Sequence, residues 1–276
     1  MAGDSLLSVP AAATSRRLEG KVALITGAAM SIGECIARSF CKHGAKVVIA
    51  DIQDDLGKSV AEDLGAHVAL FVHCDVTIES DVEKAVDTAV SIFGKLDIMV
   101  NNAAVADPRK PSIVENELID FERVVKVNLI GPFLGTKHAA RVMIPARQGS
   151  IITLGSVCSS VGGVASHAYT STKHAIVGLA KNAAAELGQF GIRVNCLSCY
   201  FVETPLTMKF FKMEEDGGRD GVYSNLKGVK LKEEDVAEAA IYLASDESKY
   251  MSGHNLALDG GFTTINPAFG LFSRNA

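Results

Sequence analysis

The chain has 276 residues, 48% of them hydrophobic and 21% charged, with a net charge of −5. That balance fits one large globular domain, or two small ones, with a substantial core. An acidic total with no Lys/Arg stripe argues against nucleic-acid or anionic-membrane partners, and no apolar run approaches the roughly 20 residues of a transmembrane helix.

Residues 1–18 are small, polar and aperiodic. They lack the long apolar core of a secretory signal and are expected to form a disordered tail. Val22–Thr26 is a short apolar run, predicted as a buried parallel strand. Gly27 follows, then Ala28-Ala29-Met30-Ser31-Ile32-Gly33 and a helical pattern to Lys42. Strand, tight glycine turn and helix start make an anion site, because free backbone N–H groups and the positive helix end face the same point. Lys46–Ala50 is predicted as a second strand ending at Asp51. That acid stands 18 residues beyond Gly33, about where a carboxylate would accept hydrogen bonds from an adenosine ribose. Asp51 would repel a 2′-phosphate, and Met30 offers no compensating cation, so the expected cofactor is NAD.

The alternation continues. Helices are predicted at Gly57–Leu64, Glu79–Phe93, Phe121–Met143 (with Asn128 inside), Tyr169–Leu187 and Glu233–Ala244. Strands are predicted at Val68–His73, Leu96–Val100, Ser150–Leu154, Arg193–Leu197 and Asn255–Leu258. Such a pattern implies an α/β Rossmann fold, a doubly wound, seven-stranded parallel sheet flanked by helices, with ligands beyond the carboxyl ends of the strands. Asp51, Asp75, Asn101, Ser156 and Cys199 are placed just after strand ends. No linker or repeat interrupts the chain, so residues 19–262 are expected to be one domain. Between 204 and 230 the rhythm breaks. Leu206, Met208, Phe210, Phe211 and Met213 suit an apolar lid over a greasy ligand.

Six cysteines are scattered through apolar segments. They are expected as reduced, mostly buried thiols in a reducing compartment, which makes the expected location cytoplasmic. Cys196 and Cys199 form a lone C-x2-C without the second pair or histidines that a zinc site needs, and no metal is expected.

Tyr169 and Lys173 lie four positions apart, on one face of a helix. An ammonium near a phenol favours the phenolate, so the pair is expected to give an acid/base working nearer neutral pH, as proton exchange with an alcohol requires. Ser156 lies 13 residues before Tyr169 and is placed to bring a hydroxyl beside the phenol.

Together these pieces resemble the short-chain dehydrogenase/reductase family across residues 19–262. The matching motifs are Thr26-Gly27-x3-Ser31-Ile32-Gly33, Cys74-Asp75-Val76, Asn101-Asn102-Ala103-Ala104, Asn128, Ser156, Tyr169-x3-Lys173 and Val202-x-Thr204-Pro205. Lys137–Pro145 and Asp259–Phe262 look closer still to the plant branch that contains secoisolariciresinol and borneol dehydrogenases.

The resemblance implies roles. Gly27, Met30, Ser31, Ile32 and Gly33 would surround the cofactor phosphates, with Asp51 and Ile52 at the adenosine ribose. Asp75 would meet the adenine amine with Val76 beside it, and Asn102 and Ala103 would line the adenosine side. Val202 and Thr204 would contact the carboxamide or pyrophosphate, and Lys173 would also hold the nicotinamide ribose. Ser156 would orient the substrate oxygen, Tyr169 would act as base, and Asn128 would anchor a water relay to Lys173. The implied activity is NAD-dependent oxidation of a secondary alcohol or lactol of a cyclic apolar plant metabolite. The implied assembly is a homotetramer, with the tail 263–276 at a subunit interface.

Four positions depart from the family pattern: Ser31 and Ala104 stand in place of glycines, Cys199 in place of a proline, and Gly155 removes a side chain beside Ser156. Ser31 is expected to strain its turn, since positive φ is unfavourable for a residue with a Cβ. Gly155 is expected either to widen the pocket or, if the loop is one residue longer, to take the serine's place and leave it empty. These departures keep open a second reading, a non-oxidative iridoid cyclase of the nepetalactol-related type that retains NAD as a structural element.

Overall fold

The computed structural model describes residues 16–211 and 226–265. Seven strands form one sheet: β1 Val22–Thr26, β2 Lys46–Asp51, β3 Ala69–His73, β4 Ile98–Asn101, β5 Gly149–Ser156, β6 Ile192–Cys199 and β7 Asn255–Leu258. All neighbours are parallel, in the order β3-β2-β1-β4-β5-β6-β7. The chain winds outward from β1 to β3, then crosses back to β4. That reversal opens a crevice beyond the carboxyl ends of β1 and β4.

The central strands β1, β2 and β4 are nearly continuous buried runs because both faces are covered. One face carries α1 (Ser31–Lys42), α2 (Asp54–Leu64) and α8 (Glu233–Ala244), with Ile36, Phe40, Ile241 and Leu243 fully buried. The other carries α3 (Glu79–Phe93), α5 (Gly131–Ala146) and α6 (His167–Leu187), packed through residues such as Val86, Met143 and Leu187. Among the described residues no helix is long and apolar enough to cross a membrane.

Three boundaries differ from the sequence expectation. The body begins before residue 19: Leu18 is fully buried and donates its backbone N–H to His43 O, and Arg17 forms ion pairs with Glu238 and Glu247. The rest of the expected tail, residues 1–15, lies outside the described residues. Next, Asp51, Asn101, Ser156 and Cys199 are not beyond their strands but are the last residues of β2, β4, β5 and β6, with Ser156 directly paired to Cys199. Finally, the long helix expected at Phe121–Met143 is three pieces: α4 (Leu118–Val125), a π turn (Lys126–Ile130) and α5. Asn128 sits inside the π turn and is 1% exposed. Such turns form where an extra residue is wound into a helix, often at functional positions.

Of the expected lid, α7 (Pro205–Phe211) is described. Met213 and the centre of the segment lie outside the described residues, as does most of the tail 263–276.

Candidate active site

At the carboxyl ends of the strands lies a cavity of about 580 Å³, within the usual roughly 300–1,000 Å³ of a small-molecule site. Its floor is the turn between β1 and α1. Gly27 has φ 65° and a Cβ there would come within 2.8 Å of Ala103 Cα. At Gly33 a Cβ would overlap Gly27 O and crowd Asn102 Nδ2, so helix and strand approach through a gap only glycine leaves. Asn102 fastens this turn from the next strand. Its Nδ2 donates to Thr26 O (3.0 Å) and Gly27 O (2.9 Å), while Thr26 Oγ1 accepts the backbone N–H groups of Asn102 and Ala103. Ser31 has φ 55°, the strained conformation its replacement of glycine foretells. Met30 and Ile52 stand at the cavity rim, 36% and 59% exposed, and partly buried Ile32 packs on the core.

Asp51 closes β2 with its carboxylate 5% exposed. Oδ2 accepts from Ala29 N and Oδ1 from Gln53 N, both at 3.0 Å, so the acid is fixed in orientation beside the turn. Asp75 lines the same end, but its Oδ1 accepts both the N–H and the hydroxyl of Thr77 at 2.8 Å, which makes it a turn cap as well. Val76 is buried against the cavity wall. These residues fit a dinucleotide: a glycine turn at a helix start where phosphates would sit, and a carboxylate at the end of the adjacent strand.

At the other end α6 presents Tyr169 and Lys173. Ser166 caps this helix, its Oγ accepting Tyr169 N, and it donates in turn to the buried carboxylate of Asp107. Lys173 is 3% exposed and its Nζ donates to Leu154 O at 2.7 Å, standing 5.4 Å from the Tyr169 ring centre. Burial lowers the lysine to about 8, opposed by the nearby thiols Cys199, Cys196 and Cys158. The phenol behaves contrary to expectation. Enclosure of its hydroxyl end raises Tyr169 above its ordinary value, the thiols of Cys199 and Cys158 add to that, and a hydrogen bond with Ser156 opposes it. Loss of water around the phenol outweighs the attraction of the neighbouring Lys173 charge in this arrangement.

Ser156 reaches Tyr169 and also accepts Cys158 N at 3.2 Å. Gly155 lines the same cavity beside Ser156, and a Cβ there would overlap Ser198 Oγ and crowd Ser159 Oγ, so the close approach of β5 and β6 favours glycine at this position.

Asn128 does not line the cavity. Its Oδ1 accepts Val105 N and its Nδ2 donates to Val105 O, both at 2.8 Å, clamping the loop after β4. Val202 and Thr204 are buried where β6 leads into α7, and Thr204 Oγ1 accepts Thr207 N as a helix cap. Apolar side chains of Val105, Ala106, Val164, Leu206 and Phe210 complete the wall. Val105, Asp107 and Glu233, which accepts the Ser31 hydroxyl at 2.6 Å, escaped the sequence reading. Only Asp107 had a local signal in its partner, a serine just ahead of a helix.

Residues 27–263 match a family model described as Enoyl-(Acyl carrier protein) reductase. The chain is 56% identical over 263 residues to secoisolariciresinol dehydrogenase of Forsythia intermedia, covering 94% of this chain and 95% of that one. It is 58% identical over 257 residues to a mitochondrial borneol dehydrogenase of Lavandula x intermedia, covering 93% and 96%. Among solved structures, 3-ketoacyl-(acyl-carrier-protein) reductase from Brucella melitensis complexed with NADH shares 37% identity at a TM-score of 0.80, over 89% of this chain and 99% of that one.

Proposed function

The chain belongs to the short-chain dehydrogenase/reductase family, and from that premise we propose that it oxidises a secondary alcohol or lactol of a cyclic, mostly apolar plant metabolite to the ketone or lactone, using NAD+. One observation carries this reading: a single cavity joins the glycine turn and Asp51 to Tyr169, Lys173 and Ser156.

An oxidised nicotinamide, when bound, supplies the hydride acceptor and a positive charge. Gly27, Met30, Ser31, Ile32 and Gly33 hold its phosphates, and Asp51 with Ile52 holds the adenosine ribose and disfavours a 2′-phosphate. Asp75, Val76, Asn102 and Ala103 hold the adenine side, and Val202 and Thr204 the carboxamide side. Ser156 orients the substrate oxygen. Tyr169 takes the hydroxyl proton, and Lys173, anchored on Leu154 O, supports the phenolate and the ribose. Since both side-chain amide atoms of Asn128 are engaged by Val105, a water relay to Lys173 would rest on its backbone carbonyl. The apolar wall excludes water and selects a cyclic hydrocarbon-rich body over a charged one.

The proposal extends to assembly and setting. A homotetramer built on the helices around Asn128 and Tyr169 is supported by exposed apolar residues Val114, Leu118, Ile119 and Phe133, and light scattering tests it. A reducing, cytoplasmic setting is supported by six unpaired cysteines.

Incubation of the protein and NAD+ with a panel of cyclic terpenoid alcohols should give a steady rise at the NADH absorbance band. Conversion of a reactive dialdehyde or enol with no NADH signal would replace this reading with the cyclase.

A further inference from the structure

Ser31 occupies the left-handed region at φ 55°, where a Cβ is crowded. A conformation of this kind persists only when neighbours over-determine it. The neighbour here is distant in sequence: Ser31 Oγ donates to Glu233 Oε1 at 2.6 Å, and Glu233 is the first residue of α8, which packs beside α1. Electrostatics alone would disfavour this arrangement. A carboxylate beside a turn built to receive phosphates repels them, so a useful Glu233 must return more through the turn's geometry than it costs through its charge. The short bond to the strained serine is the hydrogen bond that ties Glu233's side chain to that turn.

We propose that Glu233 is a positioning residue for the cofactor. By accepting the Ser31 hydroxyl it holds the phosphate turn in the left-handed conformation that a glycine would adopt unaided. Serine and glutamate thus form one unit: with glycine at position 31 the acid has nothing to hold, and with serine there the acid is needed. This inference rests on the dinucleotide reading above.

NADH affinity tests it directly. The chain has no tryptophan, so the fluorescence of the nicotinamide itself reports binding. Ser31→Ala keeps the crowding and every charge but removes the bond, and should weaken NADH binding roughly three- to tenfold. Ser31→Gly should bind at least as tightly as the native chain. Glu233→Ala should weaken binding in the native background and leave it unchanged or tighter in the Ser31→Gly background, where only the repulsive charge is lost. A difference of about threefold or more between the two backgrounds supports the unit, and a smaller one overturns it. Ser31→Ala binding like the native chain also overturns it, whatever happens to the melting temperature. If the native chain binds no NADH, the cofactor reading itself fails, which these other outcomes leave standing.

Discussion

The two ends of the cavity are built from different materials. At the cofactor end the floor is backbone: the β1–α1 turn, pinned by Asn102 to Thr26 O and Gly27 O, with no room for a Cβ at Gly33. At the substrate end the walls are side chains on loops and on α7, among them Val105, Leu206 and Phe210. Backbone spacing cannot be retuned one residue at a time, whereas an apolar side chain can be exchanged for another at modest cost. The difference teaches where this fold keeps its chemistry and where it leaves specificity open. Tyr169, Lys173 and Ser156 stand at the seam between them.

The largest expected effect lies on that seam. Tyr169→Phe removes the proton acceptor and should lower turnover by roughly 10²–10⁴-fold, with NADH affinity near native; near-normal turnover would defeat the assignment. At the cofactor end, Asp51→Ala should shift the NAD+ to NADP+ preference by about tenfold or more, since one carboxylate–ribose contact of about 1.4 kcal/mol is a factor of ten. An unchanged ratio of the two catalytic efficiencies would deny Asp51 that role. At the substrate end, Leu206→Ala should raise KM for a bulky cyclic alcohol roughly three- to tenfold and leave the NADH dissociation constant alone. If both constants move together, the two ends are not independent and the contrast breaks.

The smallest effect concerns stability. Lys173 falls to about 8 on burial, against the ordinary 10.5 of a lysine. Between those values the unfolded chain holds a proton that the folded chain has released, so this group makes the protein more stable as pH rises from about 8 to 10.5. Tyr169, raised above its ordinary value of 10, works the other way above pH 10, and the thiols that burial raises above their ordinary 9 work the other way above pH 9. Lys173→Met should therefore make the melting temperature respond less favourably to rising pH between 8 and 10 than it does in the native chain. Parallel curves for the two proteins would sink the burial account.

Much of this architecture was legible in residue order. The apolar runs at Val22–Thr26 and Lys46–Asp51 have only one way to be covered on both faces, and the glycine turn and Asp51 follow from them. The four-residue step from Tyr169 to Lys173 is likewise a local fact of helix geometry. What stayed hidden depends on distance or on burial. The Ser31–Glu233 bond spans 202 positions, and the π turn at Asn128 has no periodicity of its own. The direction of the Tyr169 shift is not legible in spacing, which reveals a neighbouring cation but not the loss of water around both groups. The packing at residue 155 was hidden as well, because it depends on the rung that pairs Gly155 with Ser198 on a strand far along the chain.

The π turn carries one more consequence. A π turn holds one residue more than an α turn, so Lys126–Ile130 takes up a surplus residue between α4 and α5. It lets Asn128 meet Val105 while, downstream, Gly135 presses so tightly on Asn101 that no Cβ would fit between them. Deleting one residue of the turn would return it to ordinary α-helix and take Asn128 away from Val105. The surplus residue is therefore kept for the clamp it makes on the loop after β4, and that side chain is the one the stretch cannot exchange.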